Sequence, residues 1–85
     1  MYSLSLSLRT IKRLKFIHSR DQRKVLNKLK VLEVNPKESS LNIKKLTQTQ
    51  YGFRLRVDKI RVIFDVDHKL GKIYILDIDY KGNIY

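Results

Sequence analysis

Two periodicities divide this chain. From Tyr2 to Leu8, apolar Tyr2, Leu4, Leu6 and Leu8 alternate with Ser3, Ser5 and Ser7, the period-two pattern of a strand with one buried face. The spacing then lengthens: Leu8, Ile11, Leu14 and Ile17 are separated by Arg9, Lys12, Arg13 and Lys15, which predicts a short amphipathic helix with a basic outer face. His18-Ser19 interrupts it, and Ser19 followed by Gln22 matches a capping box. The second helix so opened carries Val25, Leu26, Leu29 and Leu32 on its inner stripe and Arg20, Arg23, Lys24 and Lys28 outside. Asn35-Pro36 ends it, because a residue before proline is pushed out of helical geometry. Residues 35–43 read as polar loop.

Alternation returns in the second half, where strands are expected at Phe53 to Val57, Ile60 to Asp67 and Lys72 to Tyr80. Phe53, Leu55 and Val57 share one face, and after a tight turn at Asp58-Lys59 so do Ile60, Val62, Phe64 and Val66. Arg54, Arg56 and Arg61 fall on the other face. In a two-residue hairpin Val57 meets Ile60, so Arg56 stands opposite Arg61 with Arg54 one pleat away. His68 to Gly71 forms the second turn, with Gly71 free to adopt positive φ. A strand, two helices and a three-strand meander give an α+β domain, its helices packed on one face of a small, mainly antiparallel sheet.

Like charges directly opposite one another weaken a strand pair by roughly 0.2–1 kcal/mol. Two readings of the arginines follow. They hold a bound anion, for which phosphate suits the guanidinium fork, or they form a solvated face partly neutralised by Asp65, Asp77 or Asp79.

The length of 85 residues fits a single domain spanning 1–85. Its formal net charge of +11 points to nucleic acid, acidic protein or anionic membrane as partner. Membrane is the weakest of these, since no apolar run approaches the roughly 20 residues a spanning helix needs and the Ser-Leu start is unlike a signal peptide. A cytoplasmic location is expected. With 0 Cys, disulfide and thiolate chemistry are excluded. His18 and His68 stand alone, without ligand spacing, so no metal centre is expected. Asp65 and Asp67 share the parity of the arginines and are expected to pair with them. The 3 glycines form no phosphate-cradling loop.

If the last strand continues without a bulge, Asp77, Asp79, Lys81 and Tyr85 join the arginine face. Cations around a phenol suit phosphodiester cleavage, stabilising charge on phosphate while a positioned group moves a proton. The alternative is that Tyr85 merely caps the sheet edge by packing.

Lys44-Lys45-Leu46, the Phe53-Arg54-Leu55-Arg56-Val57 strand, Arg61-Val62-Ile63-Phe64 and the isoleucine-spaced ending at Ile84-Tyr85 together resemble the RelE/ParE superfamily of toxin–antitoxin systems. The resemblance covers nearly the whole chain. It implies a RelE-like fold and, in the RelE branch, a toxin that is a ribosome-dependent mRNA endoribonuclease, needing neither metal nor cofactor, in which the 2′-hydroxyl attacks the adjacent phosphate. By the same resemblance Arg61 holds the scissile phosphate, Arg54 or Arg56 assists with charge and proton abstraction, Lys81 stabilises charge, and Tyr85 orients the nucleophile or donates a proton. Lys12, Arg13, Arg23, Lys24, Lys28, Lys44 and Lys45 would contact RNA, with the ribosome, mRNA and a cognate antitoxin as partners. Against the family pattern, Asp58 replaces a usual turn glycine, Ile60 an aromatic residue and Lys81 an arginine, and no C-terminal helix follows Tyr85. The resemblance leaves open a ParE-like inhibitor of DNA gyrase that cuts no RNA, or a decayed toxin that only binds antitoxin or RNA.

Overall fold

The computed structural model describes residues 2–46 and 52–80. Its elements are β1 (Ser3–Leu6), α1 (Leu8–Leu14), α2 (Ser19–Val34), β2 (Asn42–Lys45), β3 (Phe53–Val57), β4 (Ile60–Asp67) and β5 (Lys72–Tyr80). The strands form one sheet in the order β1-β5-β4-β3-β2. β1 runs parallel to β5, and the remaining pairs are antiparallel. This is the expected α+β architecture with one strand more, because Asn42–Lys45 form a strand whose first two residues fall in the segment read as loop, 35–43. Ile43 points its side chain at the core while Asn42, Lys44 and Lys45 stay exposed, and one apolar residue among four is too little alternation to announce a strand.

Alternation places the core on one sheet face. Leu55, Val57, Ile60, Val62 and Phe64 meet Ile73, Ile75 and Ile78 of β5 beneath Val25, Leu29 and Leu32 of α2. Truncating one such leucine to alanine typically costs about 2–5 kcal/mol through lost burial and the cavity left behind. Strict alternation could not bury both Ile75 and Ile78. The pairing slips between Ile63 and Phe64, so that Phe64 faces Ile75 while Ile63 faces Asp77. This bulge turns all three β5 isoleucines inward and still leaves Asp77 and Asp79 on the arginine face.

The bulge also fixes α1. β1 ends at Leu6, and beyond it the β5 edge is met by the start of α1: Ser7 Oγ donates to Leu76 O at 2.8 Å and Thr10 Oγ1 to Ile75 O at 3.1 Å. Ser7 also caps the helix by accepting from Thr10 N. Anchored in this way, α1 turns Thr10 inward, fully buried, and leaves Leu8 76% exposed and Ile11 partly so. The expected inner stripe is therefore rotated, since hydrogen bonds to the bulge decide which face goes in.

His18, not Ser19, caps α2, its Nδ1 accepting from Arg20 N at 3.2 Å. Gln22 closes no capping box; its Nε2 donates to Leu14 O at 2.6 Å and Ile17 O at 2.9 Å, satisfying carbonyls left free as α1 ends. Leu26 is exposed rather than part of the buried stripe. Asn35 ends α2 in extended geometry, as its proline neighbour requires. Tyr80 pins the end of β5 to this corner, accepting from His18 N and donating to Asp21 Oδ2, both at 3.1 Å. Among the described residues no helix is long and apolar enough to cross a membrane.

Candidate anion site on the arginine face

The β3–β4 hairpin brings the arginines together as its two-residue turn dictates: Val57 faces Ile60, Arg56 faces Arg61, and Arg54 faces Ile63 one step along. Asp58 makes the turn with φ 53°, a conformation ordinarily left to glycine and tolerated by Asp. The missed strand extends the array, setting Lys44 opposite Arg54 and Asn42 opposite Arg56. Two cross-strand rows result. One runs Asn42, Arg56, Arg61, Asp79, and the other Lys44, Arg54, Ile63, Asp77. Cations occupy the β2 to β4 side of this face and carboxylates the β5 side.

The carboxylates are engaged from outside the sheet. Arg13 of α1 places its Nη1 3.0 Å from Asp79 and 3.4 Å from Asp77, and Arg9 reaches Asp77 at 3.6 Å. Asp65 and Asp67, expected beside the arginines, lie farther along β4 and bond locally: Asp65 accepts from Val66 N, and Asp67 from Lys69 N and Leu70 N in the second turn. Among the described residues, no carboxylate forms an ion pair with Arg54, Arg56 or Arg61.

Arg61 carries the strongest consequence. It is only 6% exposed, and its Nη1 donates to Asp58 O and Ile60 O at 3.4 Å each, both long contacts. Burial pushes its pKa below the ordinary guanidinium value, and Arg56 and then Arg54 push the same way. The group still holds its proton near neutrality. Burying a cation without an ion-paired carboxylate is unfavourable, and so is crowding three cations. An anion whose oxygens accept from these guanidinium groups would relieve both, which makes this face a candidate anion site.

The other basic candidates separate. Lys24 and Lys28 line an open cleft of about 620 Å³ that also contains Arg56 and Asp58. Arg13 is committed to Asp77 and Asp79. Arg23 lines a different groove with Leu4, Leu6 and Leu26. Lys45 pairs with Phe53, hence on the face opposite Lys44, and Lys12 is exposed on α1. Lys81 and Tyr85 lie outside the described residues. From sequence, Asp58 reads only as a turn residue, and Asn42 is not singled out, the short Leu41-Asn42-Ile43-Lys44 alternation being its only signal.

No protein-family model matches the sequence, and no curated protein matches it. Solved structures do. The chain superposes on the archaeal RelE–RelB complex of Pyrococcus horikoshii with TM-score 0.81 and 26% identity, covering 95% of this chain and 96% of the other. The RelBE2 toxin–antitoxin complex of Mycobacterium tuberculosis gives 0.80 and 20% identity, with 94% and 98% covered. The isolated E. coli RelE toxin gives 0.77 and 15% identity, with 94% and 84% covered. The fold is RelE-like.

Proposed function

We propose that this chain is the toxin of a toxin–antitoxin pair and that it inhibits translation by cutting mRNA on the ribosome, in the cytoplasm, at a phosphate bound by Arg54, Arg56 and Arg61. The observation that carries this reading is the arginine array, which among the described residues has no ion-paired carboxylate, on a fold shared with RelE toxins.

The chemistry is transesterification. The 2′-oxygen bonds to the adjacent phosphorus, the bond to the 5′-oxygen breaks, and the products are a 2′,3′-cyclic phosphate and a 5′-hydroxyl. Negative charge grows on the non-bridging oxygens as the phosphorus becomes five-coordinate, and guanidinium groups fixed by strand pairing stabilise it without having to reorganise. Guanidinium is a poor base, so the array serves charge rather than proton abstraction. By the family resemblance, Tyr85 orients the 2′-hydroxyl or gives a proton to the departing 5′-oxygen and Lys81 stabilises charge, while the 2′-hydroxyl's own proton passes to water; both residues lie outside the described ones. No step calls for a metal or cofactor.

The partner would be an antitoxin whose acidic and apolar segments cover this protein. A formal charge of +11 and the exposed Leu8, Ile11 and Leu26 suit such a wrapping chain. The decisive experiment is primer extension on mRNA in a reconstituted translation system, comparing wild type with Arg61→Ala at matched folding. Cuts in the decoding site that vanish in the variant are expected. Their absence with folded wild-type protein would reject the nuclease and direct attention to DNA gyrase.

A further inference from the structure

We infer that the cleft between α2 and the end of the β2–β3 pair is a second phosphate subsite, which binds the substrate RNA strand beside the phosphate held at Arg61. The inference rests on the nuclease reading for the identity of the strand, although its binding test does not. Arg56 belongs to both places: it faces Arg61 across the β3–β4 pair and lines the cleft with Lys24 and Lys28. A strand seated on the arginine array therefore meets a continuous line of cations leading into the cleft.

Charge and chemistry choose the occupant. Three cations line the cleft against one carboxylate, Asp58, which Lys24 already engages at 2.6 Å. Lys28 and Arg56 both act on the same carboxylate and hold it ionised. Arriving phosphate takes Lys24 over from Asp58, so the resting ion pair keeps the lysine ordered near the cleft mouth. The remaining polar lining is Asn27, Ser40 and Asn42, neutral groups able to bond 2′-hydroxyls and base edges. Among the described residues no aromatic ring lines the cleft, so stacking does not grip the bases there and the backbone is the part held. An acidic peptide is the less suited occupant, because among the described residues Val57 is the one apolar side chain in the lining and a peptide would find little to bury.

The test uses a fluorescein-labelled, 2′-O-methyl single-stranded RNA, which binds but cannot be cut, titrated by anisotropy from low to moderate salt. Lys24→Ala/Lys28→Ala should weaken binding about tenfold at low salt and make the slope of log K against log salt concentration shallower by about 0.7 per lost phosphate contact. Asp58→Asn, which keeps a residue tolerant of positive φ, should tighten binding severalfold. Lys69→Ala, at the opposite end of β4, should change nothing. Equal binding by wild type and the double lysine variant overturns the subsite, as does no binding by wild type at low salt. So does oligo-glutamate binding that depends on both lysines while RNA binding does not, which would make the cleft a protein-docking surface. Loss of RNA cleavage in the translation assay alongside intact, lysine-dependent RNA binding would sink the nuclease reading and leave the subsite standing.

Discussion

Arg13 of α1 holds Asp79 of β5 at 3.0 Å, although the residue directly across the strand pair from Asp79 is Arg61. A helix outside the sheet thus occupies a carboxylate that would otherwise be drawn toward the anion site. Arg13→Met should lower cleavage severalfold with little loss of stability, since the pair is partly solvated. Adding Asp79→Asn should restore most of the activity. A double-mutant cycle on cleavage rate checks this, and additive losses would show that Arg13 acts elsewhere.

Arg61 is expected to trade stability for function. Replacing a buried, poorly compensated charge with an apolar side chain of similar length is often neutral or stabilising by about 1–4 kcal/mol. Arg61→Met should therefore melt at or above the wild-type temperature and cleave no RNA. A melting point well below wild type would mean that the guanidinium is better satisfied than its two long carbonyl contacts suggest.

The Lys24–Asp58 pair sets a pH dependence. The hydrogen bond from Lys24 and its charge, aided by Arg56 and Lys28, lower the Asp58 carboxyl below its ordinary range. A folded pKa below the unfolded one contributes stability that is present above the unfolded value and lost as the pH falls through the folded value. Lys24→Met should melt slightly below wild type at neutral pH, and the difference should close in acid. A gap that widened on acidification would reverse the sign.

Gly52 sits where a Cβ would come within 2.6 Å of Asp65 Oδ1. Gly52→Ala requires the Asp65 carboxylate to swing aside and give up its bond from Val66 N, so a loss of about 0.5–1.5 kcal/mol is expected. In an Asp65→Ala background the same change should cost much less, which paired denaturant titrations would reveal.

Thr10 is buried with its hydroxyl donating to Ile75 O. Thr10→Val preserves shape and removes the donor, so a loss of about 1–2 kcal/mol is expected in a thermal melt. The additional signature would be faster hydrogen exchange at the start of α1.

The hairpin was legible in the sequence because its turn length fixes its register: Val57 against Ile60 follows from two loop residues, and Arg56 against Arg61 follows from that. The same alternation located the core strands and the strand before α1. Other features hung on contacts between distant parts of the chain. The rotation of α1 answers to two β5 carbonyls, and those are free only where β1 stops and the bulge begins. Gln22 has a local pattern suited to a cap, yet the carbonyls nearest its side chain belong to the preceding helix. For the site, residue spacing placed the arginines on one face, but that no carboxylate among the described residues ion-pairs with them goes with Arg9 and Arg13 reaching the β5 aspartates. Nothing in the spacing of those residues along the chain encodes that division.

The parallel pairing of β1 with β5 also bears on how the protein is made. Hairpins such as β3–β4 close as soon as their residues emerge, whereas Ser3 must wait for Lys72, its partner across nearly the whole described chain. Such distant pairing is slow because most of the polypeptide must be ordered before any contact rewards it. The N-terminal strand, and the helix anchored behind it, therefore settle late, and with them the hold of Arg13 on Asp79. Because Arg54, Arg56 and Arg61 precede Asp77 and Asp79 in the chain, a protein still being synthesised exposes its cationic hairpin before the aspartates that α1 must hold have been made.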